Sequence, residues 1–267
     1  MTAQTRSEIA GLLSRHGLSP SRRLGQHFLA DANITRKIVD LSGVGRGDQV
    51  VEVGAGTGTL TRALAATGAR VVAYEIDAGL LPVLEEVTSG LPVELRSLDV
   101  TDVDLANELA AGRWVMVANL PYNVGTPLLM DALRRVPQIE RFVVMVQREV
   151  AERLVAGPGS RQYGLPSVIV AIHAQALLAF RVPAQVFYPA PRVESAVVVL
   201  DRLPASHESE RAIQIAAAAF NQRRKMLRGS LAAVLDDPTA VLQGVAIDPT
   251  ARAEDLAPDD YLALARV

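Results

Sequence analysis

The residues of this chain best suited to chemistry are Asn119-Leu120-Pro121-Tyr122. An amide side chain, a backbone carbonyl ahead of a proline and a flat phenol fall within one turn. Such a set can act on an exocyclic amine such as N6 of adenine, whose lone pair is delocalised into the ring and is a poor nucleophile. The Asn119 side-chain oxygen and the Leu120 carbonyl can accept the two amine hydrogens and draw the nitrogen toward tetrahedral geometry. Pro121 stiffens the turn and brings no N–H to compete. Tyr122 offers a face on which an unstacked base can lie. Taken alone, the tetrapeptide reads equally well as an ordinary turn, because Asn and Pro are turn residues.

What precedes it shifts the balance. Val51-Glu52-Val53-Gly54-Ala55-Gly56-Thr57-Gly58 ends in glycines that permit a tight turn and let a ligand lie on bare backbone. The dinucleotide fingerprint requires glycine where Thr59 stands, and the phosphate-loop lysine is missing. Both points weaken a nucleotide-phosphate reading. Glu75, in Tyr74-Glu75-Ile76-Asp77, can accept from both hydroxyls of a ribose. That indicates a nucleoside without saying which one; helix capping suits Asp77 better. Asp99 ends a third apolar run.

These residues need a scaffold that brings strand ends together. Apolar runs of strand length recur at DQVVEV, ARVVAYEID, LPVELRSLD, RWVMVANLPY and RFVVMV. Helical patterns fall between them, at Thr59–Thr67 and Ala78–Val87, and an amphipathic helix fits Ser7–Arg15. Repeated strand–helix units predict an α/β fold, a mostly parallel sheet with ligands at the strand ends. Later, AQALLAFRV and ESAVVVLDRL are joined by PAQVFYPAPRV, too short for a helical crossover, so an antiparallel strand ends the sheet. A helix is expected at Ser167–His173. Beyond LPASHESE the pattern is helical, at Arg211–Phe220 and Lys225–Leu235.

Composition removes several alternatives. With no cysteine there is no disulfide frame, iron–sulfur cluster, thiolate nucleophile or Cys-based zinc site. His16, His27, His173 and His207 are scattered, so no metal is expected. A net charge of −2 is not that of a general nucleic-acid binder, so any RNA contact must be a local patch. Arg223-Arg224-Lys225 with Arg228 is the strongest such cluster, although a charge run is more often a solvated face. Arg22, Arg23 and Arg161 are weaker candidates. No apolar run reaches membrane-spanning length and MTAQTRSEIAGLL has no signal-peptide core, so a cytoplasmic protein is expected.

The ladder of glycine turn, Glu75 and Asp99 resembles the S-adenosyl-L-methionine site of class I methyltransferases. Together with Leu24-Gly25-Gln26-His27-Phe28-Leu29, NLPYNVGTP, VQREVA, PGSRQYG, Phe187-Tyr188-Pro189-Ala190-Pro191-Arg192-Val193 and FNQRRKMLR, most of the chain resembles the ribosomal RNA adenine N6-dimethyltransferases, relatives of the erythromycin-resistance methylases. The resemblance implies a Rossmann-like class I methyltransferase sheet with a small C-terminal helical domain. It divides the chain into a basic arm (1–30), a methyltransferase domain (31–202) and an RNA-facing helical domain (203–267). It implies that His27, where the family usually has Asn, closes over S-adenosyl-L-methionine with Leu29, and that Gly54, Gly56, Glu75, Asp99 and Asn119 bind it. Asn119, Leu120 and Tyr122 then hold the adenine, Phe187 covers its other face or packs in the core, and Arg223, Arg224, Lys225 and Arg228 meet RNA. The expected activity is N6,N6-dimethylation of adjacent loop adenines by a monomer, with the small ribosomal subunit and its RNA as partner. The rivals are a large-subunit resistance methylase, a non-catalytic assembly factor, and a NAD-dependent oxidoreductase. The last would not need NLPY, and no Tyr-x-x-x-Lys is found in a chain whose lysines are only Lys37 and Lys225.

Overall fold

A computed structural model describes residues 4–122 and 124–267. Asn123, inside the NLPYNVGTP motif, and the first three residues of the arm lie outside the described residues. The strands are β1 (Phe28–Leu29), β2 (Gln49–Val53), β3 (Arg70–Glu75), β4 (Val93–Ser97), β5 (Trp114–Asn119), β6 (Ile139–Gln147), β7 (Ala174–Val182), β8 (Phe187–Tyr188) and β9 (Ser195–Arg202). Seven form one sheet in the order β4-β3-β2-β5-β6-β9-β7, and β1 pairs antiparallel with β8 in a small second sheet. Pairs β2·β3, β2·β5, β3·β4 and β5·β6 are parallel, and β9 runs antiparallel to β6.

Position in the sheet follows residue type. β2 and β6 are central, and Val50, Val51, Phe142, Val143 and Val144 are wholly buried there, as strands covered on both faces require. β4 lies at an edge and carries Glu94 and Arg96, which pair with each other and with Arg70 and Glu108. Strand order reverses between β2 and β5, so a crevice opens at the carboxyl ends of those two strands.

The helices of this part are α1 (Arg6–Arg15), α2 (Ala32–Ser42), α3 (Thr59–Ala65), α4 (Leu81–Thr88), α5 (Leu105–Glu108), α6 (Gly125–Arg135) and α7 (Arg148–Leu154). Gly58, at φ +79°, caps α3; a Cβ there would come within 2.5 Å of Val87, so only glycine lets the loop approach α4 this closely.

The chain separates into two compact units. The first runs through Ala151 and includes Leu177–Asp201; the second comprises Glu152–Ala176 and Arg202–Val267. Two expected boundaries move. Residues of the arm belong to the sheet unit, because Ile9, Leu12 and Leu13 of α1 are buried with Phe28, Leu80 and Val83. Residues 152–176 belong to the helical unit. There α8 (Leu165–His173) packs on α9 (Ser209–Asn221) and α12 (Pro258–Ala265). Tyr163, Phe220 and Tyr261 form an aromatic cluster in that unit, with the Tyr163 hydroxyl donating to Leu256 O (2.9 Å) and Tyr261 to Ala253 O (2.8 Å). The helix expected at Lys225–Leu235 shortens to one turn, α10 (Leu227–Ser230), followed by α11 (Pro238–Gly244); Gly229 in the expected run disfavours a longer helix.

Candidate functional site

The crevice at the ends of β2 and β5 holds a cleft that is open to solvent. The glycine turn after β2 forms its floor. Gly54 has φ +76°, and its Cα lies close enough to the Asn119–Tyr122 turn that a Cβ would sit 3.6 Å from Pro121. Gly56 has φ +58°, and a Cβ there would strike the Phe28 ring at 2.9 Å.

Glu75, at the end of β3, is 6% exposed. One oxygen accepts from Gly56 N (2.7 Å) and the other from Asp77 N (3.0 Å), so the carboxylate fixes the glycine turn from beneath. Burial raises its pKa, and these backbone donors oppose the shift. Asp77 caps the following turn through Gly79 N and holds Gln26 (2.7 Å), which ties the LGQHFL segment to the site. A second hollow adjoins the first and shares Leu24, Gly54, Ile76 and Pro121 with it. Asp99 lines it beside Ile76, Leu98 and Val124, which are all exposed apolar side chains. One Asp99 oxygen is engaged by Thr101 N and Oγ1.

Glu52 also lines the cleft and is 1% exposed. Its Oε2 has no hydrogen-bond partner among the described residues, and burial raises its pKa to about 8. No lysine or arginine is among the residues lining the two hollows. Buried carboxylates without a cationic partner favour a ligand that brings its own positive charge. S-adenosyl-L-methionine, with a sulfonium, an ammonium and no phosphate, fits this set of residues.

At the end of β5, Asn119 Nδ2 donates to the His27 carbonyl (3.1 Å), which leaves Oδ1 without a partner among the described residues. The Leu120 side chain is buried, and its contact with Gly125 is so close that a Cβ on Gly125 would be 2.7 Å away. The Tyr122 hydroxyl shares a 2.6 Å hydrogen bond with Ser195 Oγ, and Ser195 is wholly buried at the start of β9. The ring is thereby fixed at its far end, and burial raises the phenol's pKa. His27 stacks on Tyr122 (centroids 5.8 Å apart, planes at 27°), and its Nδ1 donates to Pro189 O (2.7 Å).

The structure therefore gathers His27, Leu29, Gly54, Gly56, Glu75, Asn119, Leu120 and Tyr122 around one cleft, with Asp99 in the adjoining hollow. Phe187 is not among them. Its ring is fully buried in the core with Leu29, Val182 and Val197, as the core-packing alternative expects. In the two-residue strand β8 alternation turns Phe187 inward, while Tyr188 is half-buried. The ring that meets Tyr122 is His27. Sequence reasoning missed Ser195, for which spacing gives no signal, and assigned no role to Glu52.

In the second unit, Arg223, Arg224, Lys225 and Arg228 are all exposed on the segment that follows α9. Arg223 is anchored to Glu254 (2.8 Å) and to Arg161 O (3.3 Å).

A profile of the family described as "Ribosomal RNA adenine dimethylase" matches residues 18–267. Curated relatives named "Ribosomal RNA small subunit methyltransferase A" include one from Phenylobacterium zucineum, 47% identical over 99% of this chain and 94% of its own length. Another, from Leifsonia xyli subsp. xyli, is 44% identical over 97% and 96%. Among solved structures, a dimethyladenosine transferase from Plasmodium falciparum aligns with TM-score 0.77 at 23% identity, covering 89% of this chain and 96% of that one. The 23S rRNA methyltransferase ErmE aligns with TM-score 0.70 at 24% identity, covering 90% and 98%. At that identity both structures speak to the fold, a class I methyltransferase sheet. The profile match across nearly all of the chain, together with the two full-length relatives, establishes that it belongs to the ribosomal RNA adenine dimethylase family.

Proposed function

We propose that this protein dimethylates N6 of adjacent loop adenines in small-subunit ribosomal RNA, using S-adenosyl-L-methionine, and that it acts as a cytoplasmic monomer on a partly assembled subunit. The observation that carries this reading is the fixed turn at Asn119–Tyr122. The Asn119 amide nitrogen is held by His27 O, so its oxygen is left to accept, and the Tyr122 ring is clamped by Ser195 beside the cleft. The bound methyl donor supplies an activated sulfonium methyl, so the protein needs no nucleophile of its own. Asn119 Oδ1 and the Leu120 carbonyl accept the two amine hydrogens and aim the nitrogen lone pair at the cleft, while Tyr122 stacks on the base. Such alignment of reactants is worth ~7–11 kcal/mol of barrier. Unstacking the target adenine costs least in a loop. No described helix is long and apolar enough to cross a membrane.

The substrate is tested by labelled methyl transfer to undermethylated small subunits, naked small-subunit RNA and large-subunit RNA, followed by mapping of the modified base. Label on small subunits supports the proposal; label confined to large-subunit RNA points to a resistance methylase, and none anywhere, with cofactor bound, points to an assembly factor. Neutralising Arg223, Arg224 and Lys225 together should weaken subunit binding and flatten its salt dependence by up to about three units of slope, with cofactor affinity intact. An unaltered salt slope would remove those residues from the RNA surface.

Glu75→Ala should weaken S-adenosyl-L-methionine by one to two orders of magnitude, roughly 1.5–3 kcal/mol for lost hydrogen bonds to a charged group. Calorimetry measures it. Unchanged affinity would take Glu75 out of the cofactor site.

A further inference from the structure

Residues ahead of the family motifs reach into the reaction site. Gln4 is 3% exposed. Its Nε2 donates to Thr57 O (2.8 Å), and its Oε1 accepts from both Thr57 Oγ1 and Thr59 Oγ1 (2.7 Å each). Thr57 and Thr59 are themselves buried and both line the cofactor cleft, on the glycine turn and the first residue of α3. One amide therefore saturates its oxygen and fixes three polar groups of the loop that must carry the cofactor.

Two residues on, Arg6 Nη2 donates to the carbonyls of Gln185 and Phe187 (the latter at 2.9 Å). That segment leads directly into Pro189, whose carbonyl holds His27 against Tyr122. Between these anchors α1 begins, and Ile9, Leu12 and Leu13 seat it on Phe28, Leu80 and Val83. The start of the chain is thus tied to the cofactor loop at Gln4 and to the segment behind the base-stacking ring at Arg6.

We propose that Gln4 and Arg6 are positioning residues of the methyl-transfer site, joined in a strap: Gln4 sets the glycine turn for the methyl donor, and Arg6 sets the 185–189 segment that backs the His27–Tyr122 stack. The proposal rests on the assignment of this cleft to S-adenosyl-L-methionine. The two halves make separate demands. The described side-chain hydrogen bonds of Gln4 are all to Thr57 and Thr59 on the cofactor side, so its loss should appear in cofactor binding. The described hydrogen bonds of Arg6 are to Gln185 O and Phe187 O, on the segment that runs to Pro189, so its loss should appear chiefly in turnover and in KM for RNA.

The test uses the full chain with Gln4→Ala, Gln4→Met and Arg6→Ala, each followed by calorimetry with S-adenosyl-L-methionine, single-turnover kinetics, and hydrogen exchange at the amides of residues 54–59. Gln4→Met keeps side-chain bulk without the amide and serves if the alanine variant does not fold. Either Gln4 variant should raise the cofactor Kd about 5- to 100-fold, as expected for buried groups left unpaired, and speed exchange in the 54–59 loop. The loss in turnover rate at saturating cofactor should be smaller than the loss in cofactor affinity. Arg6→Ala should leave cofactor Kd within about twofold and lower single-turnover rate or raise KM for RNA by about tenfold. Folded Gln4 variants with parental cofactor affinity and loop protection would overturn the strap. So would equal losses in every measurement for Gln4 and Arg6 variants alike, the mark of a purely structural role. Failure of the unaltered chain to bind the cofactor at all would instead overturn the assignment of the cleft.

Discussion

Replacing Asn119 with alanine is expected to lower single-turnover methyl transfer about 10²–10³-fold, the loss typical of one preorganised polar group acting at a reacting centre. The protein should remain folded, because Asn119 lies at the open end of β5 and its one described side-chain bond is to His27 O. Cofactor affinity should change far less than turnover, since the missing acceptor acts on the amine. A near-parental rate would show that the amine needs no side-chain acceptor. The stacking ring can be tested beside it. Ser195→Ala leaves the Tyr122 hydroxyl buried without its partner, a cost of about 1–3 kcal/mol. The loss should appear as about tenfold slower transfer. Adding Tyr122→Phe removes the orphaned hydroxyl while keeping the ring, and should recover part of that loss. If the double variant is slower than Ser195→Ala, the hydroxyl has a role beyond orientation.

The sheet, and the gathering of Gly54, Glu75 and Asn119 at one crevice, are legible because the signals are local in sequence. Each parallel strand is a continuous apolar run, and each site residue at β2, β3 and β5 stands where a run breaks: at Gly54, at Glu75 and at Asn119. Sheet order then brings those breaks together. The rest depends on contacts with no local signature. β1 and β8 are two residues each and meet across more than 150 positions, so nothing in either segment announces a strand. Their pairing buries Phe187, for which the resemblance left open a base-facing or a core role, and leaves His27 against Tyr122. Residues 152–176 read as part of the sheet domain because they run straight into β7, yet α8 is apolar on the side that meets α9 and α12. Gln4 and Ser195 are ordinary polar residues in the sequence, and their burial follows only from the folded chain.

Glu52 yields the second large effect, because it is a carboxyl group that folding removes from water in the floor of the cleft. In the unfolded chain it ionises near its ordinary value of 4.5; in the folded protein burial holds its pKa at about 8. Between those values the folded state keeps a proton that the unfolded state has lost. Stability therefore falls as pH rises across that window and levels above about 8. Each unit of pKa difference corresponds to ~1.4 kcal/mol, so the total is of the order of several kcal/mol. Glu75, also raised by burial, adds to the same slope. Glu52→Gln should flatten the dependence and leave the variant more stable than the parent at pH 8.5, with little difference near pH 5, as measured by urea unfolding across pH 5–9. Parallel slopes for the two proteins would show that Glu52 is ionised in the folded state throughout. The same group couples stability to the ligand. A cationic methyl donor bound beside Glu52 favours its ionised form, so cofactor affinity should rise with pH over the window in the parent and should lose that rise in Glu52→Gln. The instability created by this buried carboxyl is thereby offset when the positively charged cofactor occupies the cleft.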